Sequence, residues 1–221
     1  MMKIIKTLKF IHRNGIHGFI RECYHRLSNN YYEKYFDVNT EGSISAEALG
    51  YDHESHHYSA LNYIHIFAML NKLPVDKNIS TLLDYGCGKG RVIITAASYQ
   101  YKKIIGVERS NLINFAENNI DKMKHRNTMN IELKLCDAID FKVPSDVNII
   151  FFFNPFEGLT LKNVIRNIYS SYKDIPRKIY IIYFNNDHFD KIITHQDWLT
   201  KIDQSAELHL HLSCGLYETN L

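Results

Sequence analysis

The stretch "STLLDYGCGKGRVIITAA", Ser80–Ala97, decides the fold. An apolar run closes on an acid, Asp84, and Gly86, Gly88 and Gly90 follow at alternate positions before a second apolar run opens at Val92. The first run has the length of a buried strand, and the second reads as a helix. Glycine loses more freedom on folding than any other residue, so three of them within Gly86–Gly90 need a reason. A turn from strand to helix supplies one. There a ligand can approach the backbone closely, and the helix N-terminus presents unpaired N–H groups.

The same alternation continues downstream. "KIIGVE" reads as a strand and "NLINFAENNIDKMK" as a helix with Leu112, Phe115, Ile120 and Met123 on or near one side. "IELKLC" is a strand, and so is "VNIIFFF", apolar enough for the centre of a sheet covered on both faces. "LTLKNVIRNIYSSY" is a helix and "KIYIIYF" a further strand, while "WLTKID" and "ELHLHLSCGLYETN" read as two final strands. Strands alternating with helices of these lengths predict an α/β fold with a doubly wound, mostly parallel sheet. Upstream, "ALNYIHIFAMLNKL" has helical spacing, and "NTEGSISAEALGYDHESHH" (Asn39–His57) reads as a polar connector.

Polar residues gather where the strands end. Glu108 closes "IIGVE", 24 positions after Asp84, where a carboxylate can accept from both ribose hydroxyls of a nucleoside. Asp137 follows the third strand, placed to accept from an adenine amino group, and Asn154-Pro155-Phe156 ends the fourth. Open α/β sheets bind ligands at this carboxyl edge.

"LLDYGCGKGR", the acid in "GVERS", "CDA" and "FFFNPF" resemble motifs I, post-I, II and IV of the seven-stranded, class I S-adenosylmethionine-dependent methyltransferases, over about Ser80–Phe184. The "DxGxGKGR" turn and "FNPF" strand end are most similar to a group of small bacterial methyltransferases. In that group a "T-x-G" and a tyrosine loop precede the turn; in this chain these are Asn39–Gly42 and His56–Ala60, without the proline that usually follows the tyrosine. The resemblance implies a seven-stranded Rossmann-like sheet in residues 58–221, preceded by an N-terminal helical extension and lid segment in residues 1–57. It implies S-adenosyl-L-methionine as cofactor, held by Asp84, Gly86, Cys87, Gly88, Gly90, Glu108, Arg109, Asp137, Ala138 and Asn154. Asp84 would take the methionine ammonium, directly or through water. Asn154, Pro155 and Phe156 would orient a nitrogen or oxygen acceptor for in-line methyl transfer, a reaction that needs alignment and water exclusion more than obligatory catalysts. An oxygen acceptor would also need a base, for which His53, His56, His57 and Tyr58 are the candidates.

Alternatives stay open beside this reading. Lys89 and Arg91 could contact an acidic substrate or the cofactor carboxylate, or simply start a solvated helix. Cys87 reads as a small filler. The chain could bind S-adenosylmethionine without catalysis, or be a nicotinamide oxidoreductase. Against the latter, Arg91 stands where G-x-G-x-x-G has its last glycine, and Asp137 and the Asn-Pro-Phe end would have no task.

The remaining signals are weaker. A length of 221 residues, with 45% hydrophobic and 23% charged residues, suits one soluble domain and its extension. Net charge is +2, and no basic stripe with interleaved aromatics marks a nucleic-acid surface in the catalytic half. Cys23, Cys87, Cys136 and Cys214 lie far apart, as reduced thiols of a cytoplasmic protein would. The adjacent His56 and His57 point in different directions on any regular element, so no metal site is expected. No apolar run reaches the length of a membrane span. Residues 1–36 are basic and aromatic, with Ile4, Leu8 and Ile11 on one helical face and Lys3, Lys6, Lys9 and Arg13 around the rest. They read as a helix packed on the domain or, more sharply, as a weak contact with an acidic membrane surface.

Overall fold

The apolar runs from Thr81 onward pair into one sheet in the computed structural model of the chain, which describes residues 2–51, 53–194, 196–209 and 212–220. The elements in chain order are α1 (Met2–Phe36), β1 (Ser43–Ile44), β2 (Tyr58–Ser59), α2 (Tyr63–Lys72), β3 (Thr81–Tyr85), α3 (Arg91–Ala97), β4 (Lys103–Glu108) and α4 (Leu112–Lys122). They continue with β5 (Ile131–Leu135), β6 (Val147–Phe153), α5 (Gly158–Asp174), β7 (Tyr180–Phe184), α6 (Asp187–Ile193), β8 (Leu199–His209) and β9 (Leu212–Thr219). β1 and β2 form a small ribbon, and the seven-stranded sheet has the order β5-β4-β3-β6-β7-β9-β8. The strands from β5 to β7 in that order are parallel, and β9 runs antiparallel to both β7 and β8. The doubly wound, mostly parallel sheet is therefore the one expected. The chain winds outward from β3 to β5 and returns on the other side at β6, which puts the switch point between β3 and β6.

β6 shows why its sequence is so apolar. Ile149 and Phe151 face a core shared with α1 to α4, while Ile150 and Phe152 face a second core under α5 and α6. Both sides exclude water, so alternation with polar residues has no place in this strand.

α1 packs against the first of these cores. It breaks at Gly15, whose φ of 70° and ψ of 172° are not helical. Phe36 is fully buried, the Asn29 amide donates to Asn62 Oδ1 at 2.6 Å, and the Tyr32 ring lies 4.9 Å from Phe67. The strongest tie is ionic. Arg91 Nη2 donates to Glu33 Oε1 at 3.0 Å, Nε to Thr40 Oγ1 at 2.6 Å and Nη1 to the Leu61 carbonyl at 3.1 Å. Its guanidinium lies 4.6 Å from the centre of the Tyr63 ring, and Arg91 is 5% exposed. Arg91 is thus not a solvated helix start, and it also lines the cavity at the strand ends. It anchors the N-terminal helix and the following segment to the glycine turn.

Some expectations change in detail. Phe115 turns outward, because α4 buries Leu112, Ile113, Ala116 and Ile120. The small Ala116 is what lets α4 approach Gly90 closely. The polar connector is folded, with β1, a 3₁₀ turn at Glu47–Leu49 and the buried Thr40. The first tail strand runs on to His209, so "ELH" belongs to β8, and α6 occupies a stretch that carried no strong periodicity. The side chains of Ile4, Leu8, Ile11, Lys3, Lys6, Lys9 and Arg13 lie outside the described residues.

Glu33→Ala should cost about 3–5 kcal/mol in urea unfolding, since it leaves a buried guanidinium uncompensated. Adding Arg91→Met should cost little more, and full additivity of the two changes would show that no buried pair exists.

Candidate active site

The tips of β3, β4, β5 and β6 open into one cavity of about 170 Å³, larger than the volume that holds a few waters. Asp84, Gly86, Cys87, Glu108, Arg109, Asp137, Ala138, Asn154, Pro155 and Phe156 all line it. Gly88 and Gly90 belong to the same turn but lie outside the lining, one under Tyr58 and the other against Ala116. The glycines also have a task that sequence alone did not reveal. A Cβ on Gly86 would come within 2.6 Å of Pro155, and one on Gly88 within 2.4 Å of the Tyr58 ring. Close approach by the protein's own side chains therefore constrains this turn, along with φ values of 73° and 54°.

Two carboxyl groups stand side by side in the cleft with opposite surroundings. Glu108, 4% exposed, accepts four hydrogen bonds: Oε1 from Tyr51 Oη at 2.5 Å, Ser110 N at 2.9 Å and Ser110 Oγ at 2.8 Å, and Oε2 from Gly88 N at 3.0 Å. Asp84, 3% exposed, has a buried Oδ2 with no partner. Burial, and then the neighbouring Glu108, push its pKa well above the usual carboxylate range. A cation entering the cavity would relieve this cost.

The other side of the cleft has a second orphan. Asn154 ends β6 with φ of 41°, a left-handed conformation that asparagine tolerates better than most residues, and its buried Oδ1 has no partner. Asn185, just beyond β7, is also left-handed and lines the cavity. Nearer the adenine position expected from sequence, Arg109 Nη1 lies 3.4 Å from Asp137 Oδ2, and its guanidinium sits 4.6 Å from the Tyr51 ring centre. Asp137 Oδ1 accepts from Ile139 N at 3.1 Å.

The segment over the cleft is pinned. Ser55 bridges to Phe156, His56 N donates to the Pro155 carbonyl at 3.1 Å, and Glu157 N donates to the Glu54 carbonyl at 2.8 Å. Glu54 caps α5, accepting from Leu159 N and Thr160 N at 2.9 Å each and from Thr160 Oγ1 at 2.8 Å. This places His56 and His57 at the cavity; His53 does not line it. Burial lowers the His56 pKa, so the ring is a proton acceptor at neutral pH, and Glu157 Oε2 lies 3.9 Å from its Nε2. Tyr58 instead donates to the Thr40 carbonyl at 2.5 Å, and burial pushes its pKa up, which removes it as a base. Lys89 donates to the Glu41 carbonyl at 2.7 Å, tying the turn to the connector. Cys87 is buried with its pKa raised by that burial, consistent with a filler. Sequence reading missed Tyr51 and Ser110. Neither sits in a recognisable pattern, and only folding brings Tyr51 to a carboxylate 57 positions away.

A nucleoside with a cationic tail suits this donor and acceptor set, since the unpartnered Asp84 and Asn154 oxygens both await hydrogen-bond donors. Open α/β sheets bind ligands in such a cleft at the switch point. The sequence profile of a methyltransferase domain matches residues 76–213, and the chain belongs to that family. No curated protein matches it in sequence. Among solved structures it is similar to a methylase from Haemophilus influenzae (19% identity over 81% of this chain and 100% of that one, TM-score 0.54). It is also similar to an RNA methyltransferase from Salinibacter ruber in complex with S-adenosyl-L-homocysteine (16%, 72% and 93%, 0.53). A third is the magnesium protoporphyrin IX methyltransferase of Synechocystis with bound S-adenosylmethionine (12%, 72% and 79%, 0.54). At these identities the likeness is one of fold.

Asp84 has a folded-state pKa raised above its unfolded value, so its contribution to stability is full at low pH and is lost as pH rises through the folded value. Asp84→Asn should therefore raise the unfolding midpoint of the ligand-free protein near neutral pH, by about 2–4 °C for each kcal/mol relieved. A fall in the midpoint would mean that the carboxylate is stabilised in a way the geometry does not contain.

Proposed function

We propose that the chain transfers a methyl group from S-adenosyl-L-methionine to a nitrogen or oxygen acceptor by in-line displacement. The observation that carries this reading is the pair of buried, unpartnered oxygens, Asp84 Oδ2 and Asn154 Oδ1, on two residues that line one cavity from adjacent strand tips. When bound, the sulfonium supplies an activated methyl carbon and a neutral leaving group. Asp84 would hold the methionine ammonium, Gly86 and its turn the methionine backbone, Glu108 the ribose and Asp137 the adenine amino group. Because the Tyr51 hydroxyl already sits on Glu108 Oε1, a ribose hydroxyl either takes the free lone pair of Oε2 or displaces that tyrosine.

Asn154 Oδ1 would accept a hydrogen bond from the acceptor and aim its lone pair, with Phe156 packed alongside. Alignment of this kind, with water excluded, is the main contribution a protein can make to such a transfer. A nitrogen acceptor that arrives as the free base needs no more than this, since its lone pair forms the new bond as the sulfur–methyl bond breaks and the extra proton then leaves to solvent. A hydroxyl acceptor needs a base, and His56 is the neutral imidazole at the cavity.

Two variants test the assignment, with labelled S-adenosylmethionine and a lysate fractionated into glycans, lipids, proteins and RNA. Glu108→Ala should weaken cofactor affinity about 10–100-fold, the loss expected for charge-assisted hydrogen bonds. Asn154→Ala should keep cofactor affinity and lower transfer about 100-fold or more. Full transfer by the Asn154 variant, or loss of binding in both, would overturn these roles for Glu108 and Asn154.

A further inference from the structure

α1 has two apolar faces, one covered by the domain and the other exposed except at its end, where Tyr35 stacks on His125 with ring centres 4.1 Å apart. His25, Asn29, Tyr32 and Phe36 meet the domain. On another side of the same helix stand Ile16, Ile20, Tyr24, Leu27, Tyr31 and Tyr35, between 40% and 68% exposed. Their spacing of three or four residues sets them in one stripe, about 30 Å long at 1.5 Å per residue. The stripe begins just after the break at Gly15, so it lies on uninterrupted helix. Large exposed apolar patches of this kind mark interaction surfaces.

Charge identifies what covers it. Residues 1–36 carry seven Lys and Arg against Glu22 and Glu33, whereas the rest of the chain has 19 basic and 22 acidic residues. The chain's positive excess is thus confined to this helix. Both of its acids are already engaged, Glu22 with Arg26 at 2.7 Å and Glu33 with Arg91 at 3.0 Å. A second copy of the helix laid on the stripe would bring two net-positive segments together. Aliphatic side chains and tyrosines, with Arg21, Arg26 and Lys34 on the same run of helix and Lys3, Lys6, Lys9 and Arg13 in the sequence before its break, instead match the boundary of an anionic bilayer, where tyrosine places its ring in the interface and lysine and arginine meet the headgroups. No helix among the described residues is long and apolar enough to cross a membrane, which leaves a helix lying in the surface plane.

We propose that α1 docks the protein on an anionic lipid surface through the stripe from Ile16 to Tyr35. The inference is independent of the methyl-transfer reading. Its test is co-sedimentation of the full chain with vesicles of equal parts phosphatidylcholine and phosphatidylglycerol, against vesicles of phosphatidylcholine alone. The expected result is binding to the mixed vesicles only, weakened by added salt, and reduced about tenfold or more in an Ile20→Glu, Leu27→Glu double variant, because each buried apolar side chain contributes on the order of a factor of ten. The variant should keep the wild-type thermal midpoint, as both positions are exposed. No binding to the anionic vesicles, or equal binding by the double variant, would overturn the proposal. A dimer in solution that the same two substitutions dissociate would also overturn it and assign the stripe to a second copy.

Discussion

Asp84 and Glu108 put two nearly buried carboxyl groups at the ends of adjacent strands, and much of the site's architecture answers to that constraint. Like charges in a water-poor cleft raise one another's cost of ionisation. The protein resolves the conflict unequally. Four bonds from Tyr51, Ser110 and Gly88 converge on Glu108, while Asp84 Oδ2 is left without a partner. An unpartnered buried acid is costly in the empty protein and favourable only with a cationic ligand beside it. That asymmetry gives the cavity a preference of charge as well as shape.

The surrounding structure keeps the cleft in register. Pro155 presses on Gly86 from the tip of β6, and Tyr58 lies on Gly88 from the connector, so the turn is gripped from two sides. Arg91, at the start of α3, carries the same turn's position outward to Glu33, Thr40 and Leu61. Glu54 ties the lid segment to the start of α5. A residue far from the cavity, Glu33, is therefore coupled to the glycine turn through a buried ion pair, and the covered face of α1 is part of the enzyme's frame.

Much of this was legible in the sequence because periodicity and strand-end chemistry are local properties. "VNIIFFF" can only be a doubly covered strand, and the acids after "TLL", "IIGV" and "LKLC" stand at the carboxyl edge once the strands are parallel. What could not be read depends on contacts distant in sequence. Arg91 follows a glycine turn, yet the carboxylate it pairs with lies 58 positions earlier. Tyr51 sits in a polar stretch that resembles a loop, and Phe115 fits a helical stripe that the close packing of Ala116 on Gly90 rotates away from the core. Glu54 as the cap of a helix more than a hundred positions later has no sequence signature at all.

The central claim is that Asp84 is held in a buried, ionisation-resistant state that a cationic ligand discharges. Calorimetric titration with S-adenosylhomocysteine at mildly acidic to neutral pH, in buffers of different ionisation enthalpy, measures this directly. The account predicts that wild-type protein releases protons on binding and that Asp84→Asn binds far more weakly with no such release. Tight binding by the Asp84 variant, or wild-type binding without proton exchange across that range, would contradict it.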